Sequence, residues 1–314
     1  MSETAIKSIE KEDIKAPRVE AGGTAIVFQR HEKYDRARDT KTSGSIFEAE
    51  AEATKQRDEE FFREVLESGD PETPTYVFFM SSDTQYNNMG RRSLETAELA
   101  QDACIEVMES MGIDPTLQVI NLNPEFNIRG FTQKKHKADK PIRPVTKIRE
   151  PNIFGDHDNH RLVGMPKDQM AKAGDRRYFD YMQEKYGDVN EPAWSPKVWA
   201  VHESDGEAEM RIQLGAEGVY DILDRTKRTM AGLARYAEKF HATHPNARLV
   251  IWAASHYDTI SPLVKDTQGV EFTEYLPVDY GAGVVINIPP NGEAALQSHD
   301  RELPIRLGET AVLN

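Results

Sequence analysis

The apolar residues of this chain fall in short runs set between long amphipathic stretches, and that spacing constrains the fold most. β-Branched and aromatic runs occur at 24–28, 76–80, 117–120, 249–252 and 284–286. Uninterrupted apolar runs of this length suit strands covered on both faces. Helical patterns lie between them. Ser45 with Glu48 reads as a capping box opening a helix to about Leu66. A second helix is expected over 92–111, with Leu94, Ala97, Cys104, Ile105 and Met108 on its core face and Gly112 ending it. Two more are expected near 167–186 and 216–243. Strands alternating with helices predict an α/β sandwich.

Residues 1–22 are polar and aperiodic and are expected to form a flexible tail closing at Gly22-Gly23. The stretch 121–166 carries Pro124, Pro141, Pro144, Pro151 and Pro166, a density that fits neither strand nor helix. It is expected to be a cap inserted into one domain spanning 23–314. Cys104 is the sole cysteine, so no internal disulfide can form. The chain shows no secretory leader pattern and no apolar run long enough to span a bilayer, so the cytoplasm is the expected compartment. With 53 acidic and 39 basic residues the net charge is −14, which argues against nucleic acid or an anionic membrane as partner. Any phosphate site must therefore be made positive locally, by a few converging cations.

Candidates for such a site stand where apolar runs end. The first run leads into Arg30-His31-Glu32, with Arg36 close behind. Polar groups just past a strand's carboxyl end are where open α/β sheets place their sites. An imidazole can attack phosphorus while a guanidinium fork neutralises the phosphoryl oxygens. The second run ends in Met80-Ser81-Ser82-Asp83 and leads to Arg92 at a predicted helix start. An arginine there opposes the helix dipole, a conflict that a bound anion would resolve. The fourth run ends in Ser255-His256, opening another predicted helix.

These blocks resemble the histidine phosphatase (phosphoglycerate mutase-like) superfamily. Arg30-His31 is similar to its Arg-His-Gly signature, and the block 92–98 (Arg-Ser-Leu-Glu-Thr-Ala-Glu) to its Arg-Ala-x-Gln-Thr-Ala-Glu helix start. Ser255-His256 is similar to its late histidine block, and 278–284 to the segment before its closing strand. The resemblance implies a three-layer αβα sandwich with a mostly parallel central sheet and an inserted cap. It implies a phosphomonoester hydrolase that forms a phosphohistidine on His31. Arg30, Arg92 and His256 would clamp the phosphate, with Arg36 a further cation. Glu150, in a stretch similar to the family's acid-bearing block, would be the general acid; Asp258 is the alternative and Asp83 the third choice. No cofactor or metal is implied, and the partner is a small phosphorylated substrate or inorganic phosphate.

Two other outcomes stay open at this point: a mutase-type phosphotransferase, and a phosphate- or phosphopeptide-binding module with weakened catalysis. The sequence after His31 lacks the mutase pattern of Ser-x-x-Asn followed by Gly-Trp, which favours hydrolysis. One departure bears on all of them. Glu32 stands where the family has glycine, so its carboxylate must turn away from the phosphate or weaken the reaction.

Two further patterns concern charge and metal. Segment 134–149 holds seven basic residues against Asp139 and could attract an anionic substrate. The run 156–160 (Asp-His-Asp-Asn-His) is expected not to bind metal, because consecutive ligands on a loop rarely converge.

Overall fold

A computed structural model describes residues 7–33, 46, 48–70, 72–82, 92–123, 126, 146–148, 177–187, 194–214, 216–273, 275–291, 293–299 and 301–307. Among them are seven strands: β1 (Thr24–Arg30), β2 (Thr75–Ser82), β3 (Thr146–Ile148), β4 (Arg248–Ser255), β5 (Gly283–Ile288), β6 (Ala295–Ser298) and β7 (Arg301–Pro304). They form one sheet in the order β3-β2-β4-β1-β5-β6-β7. The run β3-β2-β4-β1 is parallel, and β5, β6 and β7 extend it antiparallel. Phe28 pairs with Ala253 and, on its other side, with Val284, so β1 lies in the sheet's interior.

The helices among the described residues are α1 (Glu48–Glu67), α2 (Arg92–Ser110), α3 (Pro115–Gln118), α4 (Arg177–Tyr186), α5 (Trp194–Glu203), α6 (Ala208–Gln213), α7 (Val219–Thr243) and α8 (Tyr257–Gln268). The chain resolves into two compact units. One comprises Ile9–Glu150, Met230–His256 and Val278–Asn314; the other comprises Met1–Ser8, Pro151–Thr229 and Tyr257–Pro277.

The first unit holds the sheet. Strand alternation sends Ala25, Val27, Val77, Phe79, Val250 and Trp252 to one face, where Phe61, Phe62, Leu94, Ala97, Cys104 and Met108 of α1 and α2 cover them. Phe61, Phe62 and Trp252 meet with ring centroids 5.0 to 5.3 Å apart. Each such aromatic pair adds about 0.5–1.5 kcal/mol beyond the area it buries. On the other face Tyr76 and Phe78 pack against Phe240 and Tyr236 of α7. Helices on both faces of a central sheet make the expected α/β sandwich.

Three expectations are corrected. Residues 9–22 are not a loose tail. Ile9 is fully buried and bridges to Val278, and residues Lys11–Asp13 form a 3-10 turn. The run 117–120 is not a sheet strand. Asp114 caps and Pro115 starts the short α3, leaving Val119 a single bridge to Val77. The Asn121 side chain then imitates a strand, accepting from Phe79 N–H at 2.7 Å and donating to Phe79 O at 2.9 Å. Within 121–166, expected to be an inserted cap, β3 instead belongs to the sheet; residues 124–125, 127–145 and 149–166 lie outside the described residues. The described part of the second unit draws instead on 177–229 and 257–277.

That second unit has its own small core of Tyr178, Met182, Val198 and Ala216. It also buries an ion pair, Lys265 with Glu203, onto which the Tyr257 and Ser261 hydroxyls donate.

Candidate functional site

β1, β2 and β4 run parallel, so their carboxyl ends converge on one edge of the first unit. Arg30 closes β1 and His31 follows it. The His31 N–H donates to Ser255 O at 2.9 Å, which ties the two strand ends together. His256 comes directly after β4, and its ring centroid lies 5.0 Å from that of His31, the planes 71° apart. The hydroxyls of Ser82, last in β2, and Ser93, second in α2, approach His256 Nε2 at 3.3 and 3.4 Å. Arg92, first in α2, thus stands at the same edge.

The rings are buried, His31 to 3% exposure and His256 to 8%. Burial pushes both pKa values well below the usual 6.5, and the positive charge of Arg92 and Arg30 pushes them the same way; His256 acts likewise on His31. Both imidazoles are therefore neutral near pH 7. His31 Nδ1 faces the Glu32 carbonyl at 2.8 Å. A carbonyl can only accept, so Nδ1 carries the proton and the lone pair sits on Nε2.

Arg30 is fixed by a bond to the Val278 carbonyl and by Tyr280, whose ring centroid lies 3.9 Å from the guanidinium carbon. The same ring stands 5.4 Å from His31. Trp252 Nε1–H donates to Gln29 Oε1 at 3.0 Å, and Gln29 reaches back to Gly281 O at 3.4 Å, so the core braces this turn from below.

Arg30, His31, Arg92 and His256 are brought together from three separated stretches. Arg36, Glu150 and Asp83 lie outside the described residues, as do segments 134–145 and 156–160. Asp258 is buried in the first turn of α8 and belongs to the second unit. Sequence reasoning gave no role to Ser82, Ser93 or Tyr280. The serines stood beside residues already singled out, and Tyr280 lay in the block before the closing strand.

Glu32 is fully buried, and its carboxylate is held by Lys11 at 3.2 Å and by Arg57 at 3.1 Å. Two cations thus take the charge that the sequence placed next to His31.

Fold and site define an α/β protein carrying neutral imidazoles and guanidinium groups at the carboxyl ends of the parallel strands of a mixed sheet. No family model matches the chain, and no curated protein matches it. Among solved structures it is similar to phosphoglycerate mutase from Bacillus anthracis str. Sterne, with 14% identity and a TM-score of 0.42 over 89% of this chain and 93% of that one.

Proposed function

We propose that the protein is a cytoplasmic phosphomonoester hydrolase that works through a phosphohistidine on His31. The observation that carries this reading is the neutral His31 ring, with its Nε2 lone pair fixed by the Nδ1–H bond to Glu32 O and its plane flanked by His256. A neutral, oriented imidazole beside guanidinium groups is what in-line attack on a phosphoryl group requires.

In the first step His31 Nε2 bonds to phosphorus as the ester P–O bond breaks, and a carboxylic acid gives the leaving oxygen its proton. Glu150 is the first choice for that acid and Asp258 the second. In the second step the same carboxylate takes a proton from water. The oxygen attacks phosphorus, the P–N bond breaks, and inorganic phosphate leaves with His31 neutral again. Arg30, Arg92 and His256 hold the equatorial oxygens and offset charge in both transition states. Their donors are preset, so little reorganisation is needed as charge develops.

Incubation with a generic phosphomonoester, acid-free denaturation and mass spectrometry should reveal a phosphoryl group on His31. His31→Ala should lose at least about a thousandfold in turnover. Residual turnover within tenfold of wild type would reject the nucleophile. Release of free phosphate, measured beside isomerised phosphoglycerate, separates hydrolysis from mutase transfer.

A further inference from the structure

A glutamate beside a nucleophile that must meet a phosphate dianion is electrostatically unfavourable, yet here it is tightly built in. Glu32 Oε2 accepts from Lys11 at 3.2 Å and Oε1 from Arg57 at 3.1 Å. Each cation is shared with a second carboxylate, Lys11 with Glu50 at 3.0 Å and Arg57 with Asp58 at 2.8 Å. A buried carboxylate held this way has paid its desolvation through charge-assisted bonds, and removing one partner leaves the rest uncompensated.

The partners are themselves anchored. Lys11 begins the 3-10 turn, which Asp13 closes by accepting from Glu10 N–H at 2.8 Å. Ile9 O accepts from Asp279 N–H at 2.9 Å, fixing that turn to the segment that carries Tyr280. Arg57 projects from α1. Space for the carboxylate comes from Gly281, where a Cβ would fall 2.1 Å from Glu32 Oε1 and where φ is +75°. The glycine missing at 32 thus has a counterpart at 281.

The backbone of residue 32 is held as firmly as its side chain. Its N–H donates to Thr96 Oγ1 at 3.0 Å, and Thr96 in turn donates to Arg92 O at 2.8 Å. Its carbonyl accepts from His31 Nδ1–H at 2.8 Å. Rotation of this residue would move that carbonyl and free the imidazole to turn or change tautomer.

We propose that Glu32, clamped by Lys11 and Arg57, is a positioning residue that holds its own carbonyl on His31 Nδ1 and so keeps the nucleophilic lone pair on Nε2. The assignment rests on the hydrolase reading for its catalytic consequence, while its structural consequence can be read without turnover.

The test uses the full chain with Glu32→Gln, Glu32→Gly, Lys11→Met and Lys11→Arg. In the two Glu32 variants and in Lys11→Met, kcat for a phosphomonoester should fall about tenfold or more with KM within about twofold, because orientation is lost and the clamp on phosphate is kept. Lys11→Arg should stay within about twofold of wild type. Imidazole ¹⁵N shifts of His31 should show one Nδ1–H tautomer in wild type and a mixture in the affected variants. If Glu32→Gln does not fold, Lys11→Met, which leaves Arg57 in place, carries the same reading. Unchanged or increased kcat in Glu32→Gly, or a single unaltered tautomer throughout, would overturn the assignment. A wild type without phosphatase activity would sink the hydrolase reading alone, since the ¹⁵N pattern decides positioning with no substrate present.

Discussion

His31 and His256 are bases that burial and neighbouring positive charge keep unprotonated, and this fixes the sign of two pH effects. Their pKa values in the folded chain lie well below the 6.5 they have when unfolded. His202, buried in the second unit, behaves likewise, its pKa lowered to about 4 by burial and then by Arg211. As pH falls below 6.5 the unfolded chain takes up protons that the folded chain refuses, so stability is lost from there down toward the folded values. The melting temperature should therefore drop between pH 7 and pH 5. Activity, on the proposed reading, should behave differently, since His31 in the folded chain stays neutral as pH passes below 6.5. With a substrate already dianionic at pH 5, kcat/KM should hold its plateau below 6.5 until unfolding intervenes. A half-maximum at 6.5 would mean an exposed, ordinary imidazole. Arg30, His31 and His256 were legible because each follows an apolar run, and Arg92 because it opens a predicted helix, places the sequence marks without reference to anything distant. The partners of Glu32 were not. Lys11 lies in a stretch whose polarity reads as a tail, and Arg57 on a helix where arginine is unremarkable; only the fold brings their charges to one carboxylate.

At the scale of elements, α1 shows how one piece of secondary structure completes another. Its last turn contains no basic residue, and the Ser68 hydroxyl, donating to Val65 O at 3.0 Å, is a neutral local partner for its terminal carbonyls. Arg248, the first residue of β4 and only 3% exposed, supplies a charged one. The guanidinium donates to Val65 O at 2.9 Å and to Leu66 O at 3.4 Å. Burial lowers the Arg248 pKa, so those carbonyls repay part of its desolvation. Arg248→Met keeps most of the apolar stem and removes the guanidinium donors from Val65 O and Leu66 O, leaving Val65 O with the Ser68 hydroxyl alone. The expected loss is about 2–3 kcal/mol, read as a lower urea midpoint with an unchanged slope. A midpoint unmoved would show that water replaces the guanidinium. The same reliance on distant partners explains which elements the sequence revealed. β1, β2, β4 and β5 are covered on both faces and announce themselves by composition. β6 and β7 lie at the sheet's edge with half-exposed, mixed sequences, and β3 is a three-residue strand in a basic stretch, so neither left a periodic signal. The run 117–120 has a strand's composition, but the Asp114 cap and Pro115 ahead of it start α3 instead.

For the whole molecule, the parallel run β3-β2-β4-β1 follows from strands alternating with helices. The insertion of β4 between β1 and β2 does not, because it is a pairing between segments far apart in the chain, on which the local pattern is silent. That order is what sets the ends of β1, β2 and β4 side by side. On the proposed reading the site works against its own setting: a chain of net charge −14 has a long-range field that repels phosphate, while Arg30 and Arg92 would attract it at contact. The two forces respond differently to salt. Raising ionic strength from about 10 mM to about 150 mM shortens the screening length from about 30 Å to about 8 Å. That removes most of the repulsion felt during approach and leaves short, half-buried contacts much less affected. For a dianionic phosphomonoester kcat/KM should therefore rise severalfold over this range, with the gain in KM and not in kcat. An uncharged inhibitor should show no such trend. If kcat/KM instead falls with salt, local attraction outweighs the global field, and the basic stretch 134–149 becomes the first place to look. Neutralising three of its lysines should then reverse the slope.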